Sequence, residues 1–98
     1  PVSAYEVVLS EAPRALAVPE TVTVVRKKKE KTLATGDFLV GPVEHEGATV
    51  RFSLEAKPTG SLRADAFLRE LVVATVVAGH AAEGLRPVSF LRVEQREA

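Results

Sequence analysis

Thr59 to Gly79, TGSLRADAFLRELVVATVVAG, decides how the rest of the chain must pack. Ala64, Phe67, Leu68, Leu71, Val72 and Val76 recur at three- and four-residue spacing, which predicts an amphipathic helix over residues 61–78. Ser61 stands where an N-cap is needed, and Gly79 supplies a left-handed stop. Arg63, Asp65, Arg69 and Glu70 mark the wet side, with Asp65 and Arg69 at the spacing of a weak surface ion pair. In the second half Val73, Ala74 and Val77 widen the apolar stripe until little of the cylinder is left for water. That end is either deeply buried or docks on a partner, so Val73 and Val77 are the candidate protein-contact residues.

Immediately before the helix, Ala48 to Lys57 alternates cleanly, with Val50, Phe52, Leu54 and Ala56 on one face and Thr49, Arg51, Ser53, Glu55 and Lys57 on the other. This is a strand with one wet face. After the helix, HAAEG leads to Leu85–Glu94, where Phe90, Leu91 and Val93 predict a last strand and Pro87 belongs at its beginning or on an edge. Towards the N-terminus, Tyr5–Ser10 and Thr21–Lys28 read as two more strands. Between them PRALAVPE, residues 13–20, has room for one or two helical turns between its prolines. From Lys29 to Gly47 the periodicity fails, and Gly36, Asp37, Gly41, Pro42 and Gly47 supply turn chemistry around the apolar island Phe38, Leu39, Val40.

The order strand, short helix, strand, strand, long helix, strand predicts an α+β domain. Its simplest packing is a ferredoxin-like split βαββαβ, a four-stranded antiparallel sheet with one long helix and one short helix on one face. Thr21–Lys28 and Ala48–Lys57 are then antiparallel neighbours under the long helix. An alternative makes the Phe38 island a fifth strand and leaves PRALAVPE as a loop.

Ninety-eight residues suffice for one core and hence a single domain spanning 1–98. With 46% apolar and 27% charged residues the chain falls among folded globular proteins. Thirteen basic residues balance thirteen acidic ones, so any attraction to nucleic acid must come from clustering. The absence of cysteine excludes thiolate metal sites, thiol nucleophiles and iron–sulfur ligation by this chain. No apolar run is long enough to span a membrane and no secretory signal opens the chain, which makes a cytoplasmic setting the default with no membrane partner. Methionine is absent, position 1 included, so the chain reads as a fragment of a longer protein.

One charge cluster stands out. RKKKEK, Arg26–Lys31, sets five positive charges and one negative within six residues at a strand end. Such a run either neutralises phosphates or guards a strand end against edge pairing. Arg51, Lys57, Arg63 and Arg92 extend it if the fold brings them together. The open sheet face presents Arg51, Ser53 and Glu55 and lacks the exposed aromatics on which RNA-recognition modules stack bases, since the phenylalanines and Tyr5 mostly read as core. Thr59, Gly60 and Ser61 have the composition of an anion-binding helix start, although a cap and a turn account for the same residues. His45 and His80 lie in small-residue connections without a carboxylate at a diagnostic spacing, so neither reads as a metal ligand or a general base. No phosphate-binding loop, dinucleotide fingerprint or nucleophile elbow is present, and no cofactor is implied.

Taken together, YEVVL, VVRKKKEK followed by Asp37, VRFSLEAKPTGSLRADAFLREL and LRPVSFLRVE resemble the C-terminal half of the radical-SAM-linked proteins. That uncharacterised bacterial family is encoded beside or fused to radical SAM proteins, often near genes for ribonuclease E/G and ribosomal proteins. Its pattern falls here on Arg26, Lys29, Lys31, Asp37, Gly60, Leu62, Arg63 and Arg92, with alanine at position 64 where the family tends to have proline. The resemblance implies a non-catalytic accessory or RNA-contacting domain working with a radical SAM enzyme in RNA modification or processing. Arg26, Lys29, Lys31, Arg63 and Arg92 are its candidate nucleic-acid-binding residues. The competing expectation is a protein-interaction or oligomerisation module that docks through the apolar end of helix 61–78, on a radical SAM protein or on a second copy.

Overall fold

A computed structural model describes residues 1–58 and 60–96, the last of these for its backbone alone. Its central element is β1, Val2–Leu9, which pairs antiparallel with β5, Thr49–Glu55, on one side and with β6, Pro87–Arg96, on the other. A three-residue strand β4, Glu44–Glu46, borders β5, giving a four-stranded antiparallel sheet in the order β4-β5-β1-β6. β2, Thr21–Arg26, and β3, Lys29–Ala34, form a separate two-stranded hairpin, and α1 spans Ala64–Val77.

The alternation read in Ala48–Lys57 sets the inner face. Val50, Phe52 and Leu54 are buried and lie opposite Val7, Tyr5 and Ser3, so the apolar face of β5 continues across β1. α1 covers this face with Phe67, Leu68 and Leu71, and the Phe67 ring meets Phe52 edge-on with centroids 4.9 Å apart. Each such fully buried side chain stabilises the fold by about 1.5–3 kcal/mol. Tyr5 stacks on Phe52 from the neighbouring strand at 5.3 Å. On the opposite, wet face Arg51 remains exposed and its Nε donates to Glu6 Oε2 at 3.0 Å.

The ferredoxin-like βαββαβ expectation does not hold. Only one α-helix is present among the described residues, and the place of the first helix is taken by coil and the β2–β3 hairpin. PRALAVPE is non-helical: Arg14 N–H donates to the His80 carbonyl, and Ala17 N–H donates to Thr75 Oγ1 and not to the Pro13 carbonyl that a helix would offer it. Those bonds hold the loop against the C-terminal end of α1 and leave no i→i−4 ladder. Nor do Thr21–Lys28 and Ala48–Lys57 pair. The strand over 21–28 ends at Arg26 and turns back on itself, with Val22 facing Leu33 and Arg26 facing Lys29. KEKTLA of β3 carries no apolar alternation because its outer face stays in water, and Leu33 alone packs on the core. The Phe38 island lies against β5 through Leu39↔Leu54, with Glu55 N–H donating to the Phe38 carbonyl and Val40 N–H to that of Ser53.

The helix starts three residues after the expected Ser61. Arg63 is the N-cap residue and offers no side-chain cap, whereas Leu62 is driven into the core. The Asp65 carboxylate takes over the capping work by accepting from the Ala66 amide at 3.0 Å. At the other end Gly79 adopts φ +79, with Gly79 N–H bonded to Val76 O and His80 N–H to Thr75 O, the paired bonds of a Schellman stop.

Candidate nucleic-acid interface

The basic run is the tip of the β2–β3 hairpin. Arg26 and Lys29 close a two-residue loop made of Lys27 and Lys28, both at positive φ, +49 and +65. Positive φ at both loop positions is the type I′ pattern that matches strand twist and is normally met by Asn-Gly. Two lysines hold it here against the roughly 1–2 kcal/mol per residue that a Cβ costs in the left-handed region. Arg26, Lys27, Lys28, Lys29 and Lys31 are all exposed, and none is in an ion pair among the described residues.

Ladder pairing then decides what these charges face. Val22–Leu33, Val24–Lys31 and Arg26–Lys29 share one face of the hairpin, and Val22, Val24 and Leu33 pack on the core. Arg26, Lys29 and Lys31 therefore continue the face turned toward α1. Arg26 meets Arg63, Asp65, Ala66 and Arg69 around a shallow cavity of about 220 Å³. Arg63 Nε donates to Asp65 Oδ1 at 3.2 Å, replacing the Asp65–Arg69 pair suggested by their spacing and leaving Arg69 to line the cavity. Partial desolvation pushes the Asp65 carboxyl up, but the Arg63 hydrogen bond and charge with the Ala66 amide outweigh it, and the group titrates below its ordinary value. The site thus carries one carboxylate amid several cations.

Arg26, Lys29, Lys31 and Arg63 come to one side of the domain. Arg92 does not line their cavity: it lies on the edge strand β6, opposite Tyr5. Arg51 and Lys57 do not extend the patch, because Glu6 neutralises the first and Glu55 approaches the second at 3.9 Å. Arg69, read in the sequence as part of the wet face of the helix, is the residue missed; its place beside a basic hairpin and around one cavity with Arg63 follows only from the tertiary packing. Asp37 closes a single 3-10 turn, Thr35–Asp37, and is exposed. Gly60 sits at φ +143 and exchanges two backbone hydrogen bonds with Lys57, the turn that delivers Leu62 and Arg63; Thr59 of the suggested anion-binding start lies outside the described residues.

Val73 and Val77 are 52% and 81% exposed, so the greasy end of α1 is uncovered and not buried. The aromatics are mostly core as expected: Phe38, Phe52 and Phe67 are buried and Tyr5 packs on them, while Phe90 on β6 is open to water. His45 Nδ1 reaches no closer than 3.4 Å to the Gly47 carbonyl, and no group of three or more His, Cys, Asp or Glu gathers among the described residues. No helix among them is long and apolar enough to cross a membrane. Compared with known families, with curated proteins and with solved structures, the chain matches none.

Proposed function

We propose that this domain is a non-catalytic accessory module that contacts RNA through the sugar–phosphate backbone, with Arg26, Lys29 and Lys31 as the principal phosphate ligands and Arg63 and Arg69 as flanking cations. One observation carries the reading: the hairpin tip holds lysine at both left-handed positions, where Asn-Gly would relieve the strain, and thereby gathers five cations within six residues, none in an ion pair among the described residues. A local rule broken without a packing gain points to function. The work beside a radical SAM enzyme in RNA modification or processing is proposed on the sequence resemblance alone.

The experiment is an anisotropy titration of a mixed single-stranded RNA at several salt concentrations. Each phosphate contact on a single strand contributes about −0.7 to the slope of log K against log salt. Lys29→Gln/Lys31→Gln should therefore flatten the slope by about 1.4 while the melting temperature stays put, because exposed charges contribute little to stability. Equal slopes in both proteins, or no binding at about 50 mM salt, would remove the phosphate role.

A second reading has its own support. The exposure of Val73 and Val77 on an otherwise packed helix favours protein contact at that end, with a radical SAM protein as the partner the resemblance suggests.

A further inference from the structure

The two edges of the main sheet are treated differently. β4 is three residues long and presents Glu-His-Glu, a short charged edge of the kind that discourages pairing. β6 is the longest strand, ten residues, and on it Val88, Phe90, Leu91 and Val93 are all more than 40% exposed. Along the outer side of its segment Ser89–Arg92, at the edge of the sheet, no strand among the described residues pairs with it. Under its helix-facing side lies an apolar groove of about 340 Å³ between β6 and α1, lined by Leu68, Val72, Val73, Leu85, Pro87 and Phe90 among others. Nothing among the described residues covers either.

We infer that β6 is a dimerisation strand, pairing antiparallel with β6 of a second copy to make a continuous eight-stranded sheet. Self-complementarity selects this occupant. A two-fold axis through Leu91 sets Leu91 against its own copy on the wet face, the face it shares with Glu6. On the helix face the same register sets Phe90 opposite Arg92 of the second copy, twice. The Arg92 guanidinium has no ion pair among the described residues and can lie over the exposed ring, so Arg92 meets an aromatic and not a like charge. Phe90–Arg92, the segment at the axis, lies within the regular part of β6 between its two register shifts, and beyond it Ser89 comes opposite Val93 of the second copy, where the first shift falls.

The area is that of a weak interface. Val88, Phe90, Leu91 and Val93 of β6, with Val73 in the adjoining groove, leave roughly 400 Å² in water, of the order at which exposed apolar surface marks a contact. Two such surfaces come to about 800 Å², below the roughly 1,200 Å² of a standard interface and in the range of transient ones. The inference concerns a different surface from the basic hairpin, and its failure leaves the RNA reading untouched.

The test is sedimentation of the chain up to about 1 mM, with two variants. Wild type should reach twice the monomer mass. Leu91→Lys, which sets like charges face to face at an exposed position, should sediment as a monomer with unchanged circular dichroism. Leu91→Cys should form an interchain disulfide under mild oxidation, since directly opposed residues approach disulfide range and the chain has no other cysteine. A monomer at every concentration overturns the inference and leaves the edge to a strand of another protein. A dimer that persists in Leu91→Lys, or a Leu91→Cys variant that fails to cross-link, places the interface elsewhere and overturns it as well.

Discussion

Replacing Thr75 by valine isolates the contact that holds the 11–20 loop where a helix was expected. Thr75 is fully buried at 0% exposure, and its Oγ1 accepts from the Ala17 amide at 3.2 Å. Valine keeps the shape and removes the acceptor, leaving a half-buried N–H without its partner. An unsatisfied buried donor costs about 1–3 kcal/mol, and partial access of water to Ala17 puts the expected loss near the lower end, about 1–1.5 kcal/mol. For a domain of this size that is a fall in Tm of roughly 4–12 °C. Thr75→Ser is the control: it keeps the hydroxyl and gives up one methyl, about 1 kcal/mol. Urea unfolding would place both variants at similar stability, so the discriminating assay is amide hydrogen exchange. In Thr75→Val the Ala17 amide should lose its protection while the β1 amides keep theirs relative to global stability, and in Thr75→Ser it should stay protected. A valine variant within about 0.3 kcal/mol of wild type, with Ala17 still protected, would refute the claim that this bond anchors the loop.

Leu71, 1% exposed at the centre of the core, should cost about 2–5 kcal/mol on truncation to alanine, read from the urea midpoint at unchanged m-value. Lys27→Asn/Lys28→Gly should raise Tm by relieving two left-handed lysines, a gain of about 1–2 kcal/mol once the extra chain entropy lost by glycine is set against the roughly 1–2 kcal/mol at each position, and at the same time weaken RNA binding at low salt. An unchanged Tm would mean that the lysines are not strained, and unchanged RNA binding that they do not touch phosphate.

The residues that were legible in the sequence are those whose pattern has a single physical cause. Val50, Phe52 and Leu54 alternate because one face of β5 is wet, and Phe67, Leu68 and Leu71 recur because one stripe of α1 is dry; both groups are buried as their spacing requires. Gly79 announced the helix end because only glycine enters φ +79 freely. β3 was hidden because KEKTLA pairs with β2 through its backbone and buries almost nothing. The missing first helix was hidden because the bonds that replace it, Arg14 to His80 and Ala17 to Thr75, join residues about sixty apart. The cations of the hairpin were visible as composition, but that Arg26 and Arg63 share a cavity depends on the hairpin lying beside α1. Phe90, Leu91 and Val93 were legible as a strand, but their exposure was not, because an apolar strand pattern reads the same at a sheet centre and at an edge.

The position of β1 at the middle of the sheet has a consequence for synthesis. β1 is made first, yet its partners begin at Thr49 and Pro87, so its outer hydrogen bonds wait until residue 96 has left the ribosome. At about 5–20 residues per second that interval is several seconds, whereas a two-residue hairpin such as β2–β3 closes in about 1–10 μs. The nascent chain therefore opens and closes a marginal basic hairpin many times and carries an apolar strand with one or both sides open. For those seconds VSAYEVVL is the segment a ribosome-bound chaperone would meet, and a chain cut short before β6 would present it permanently.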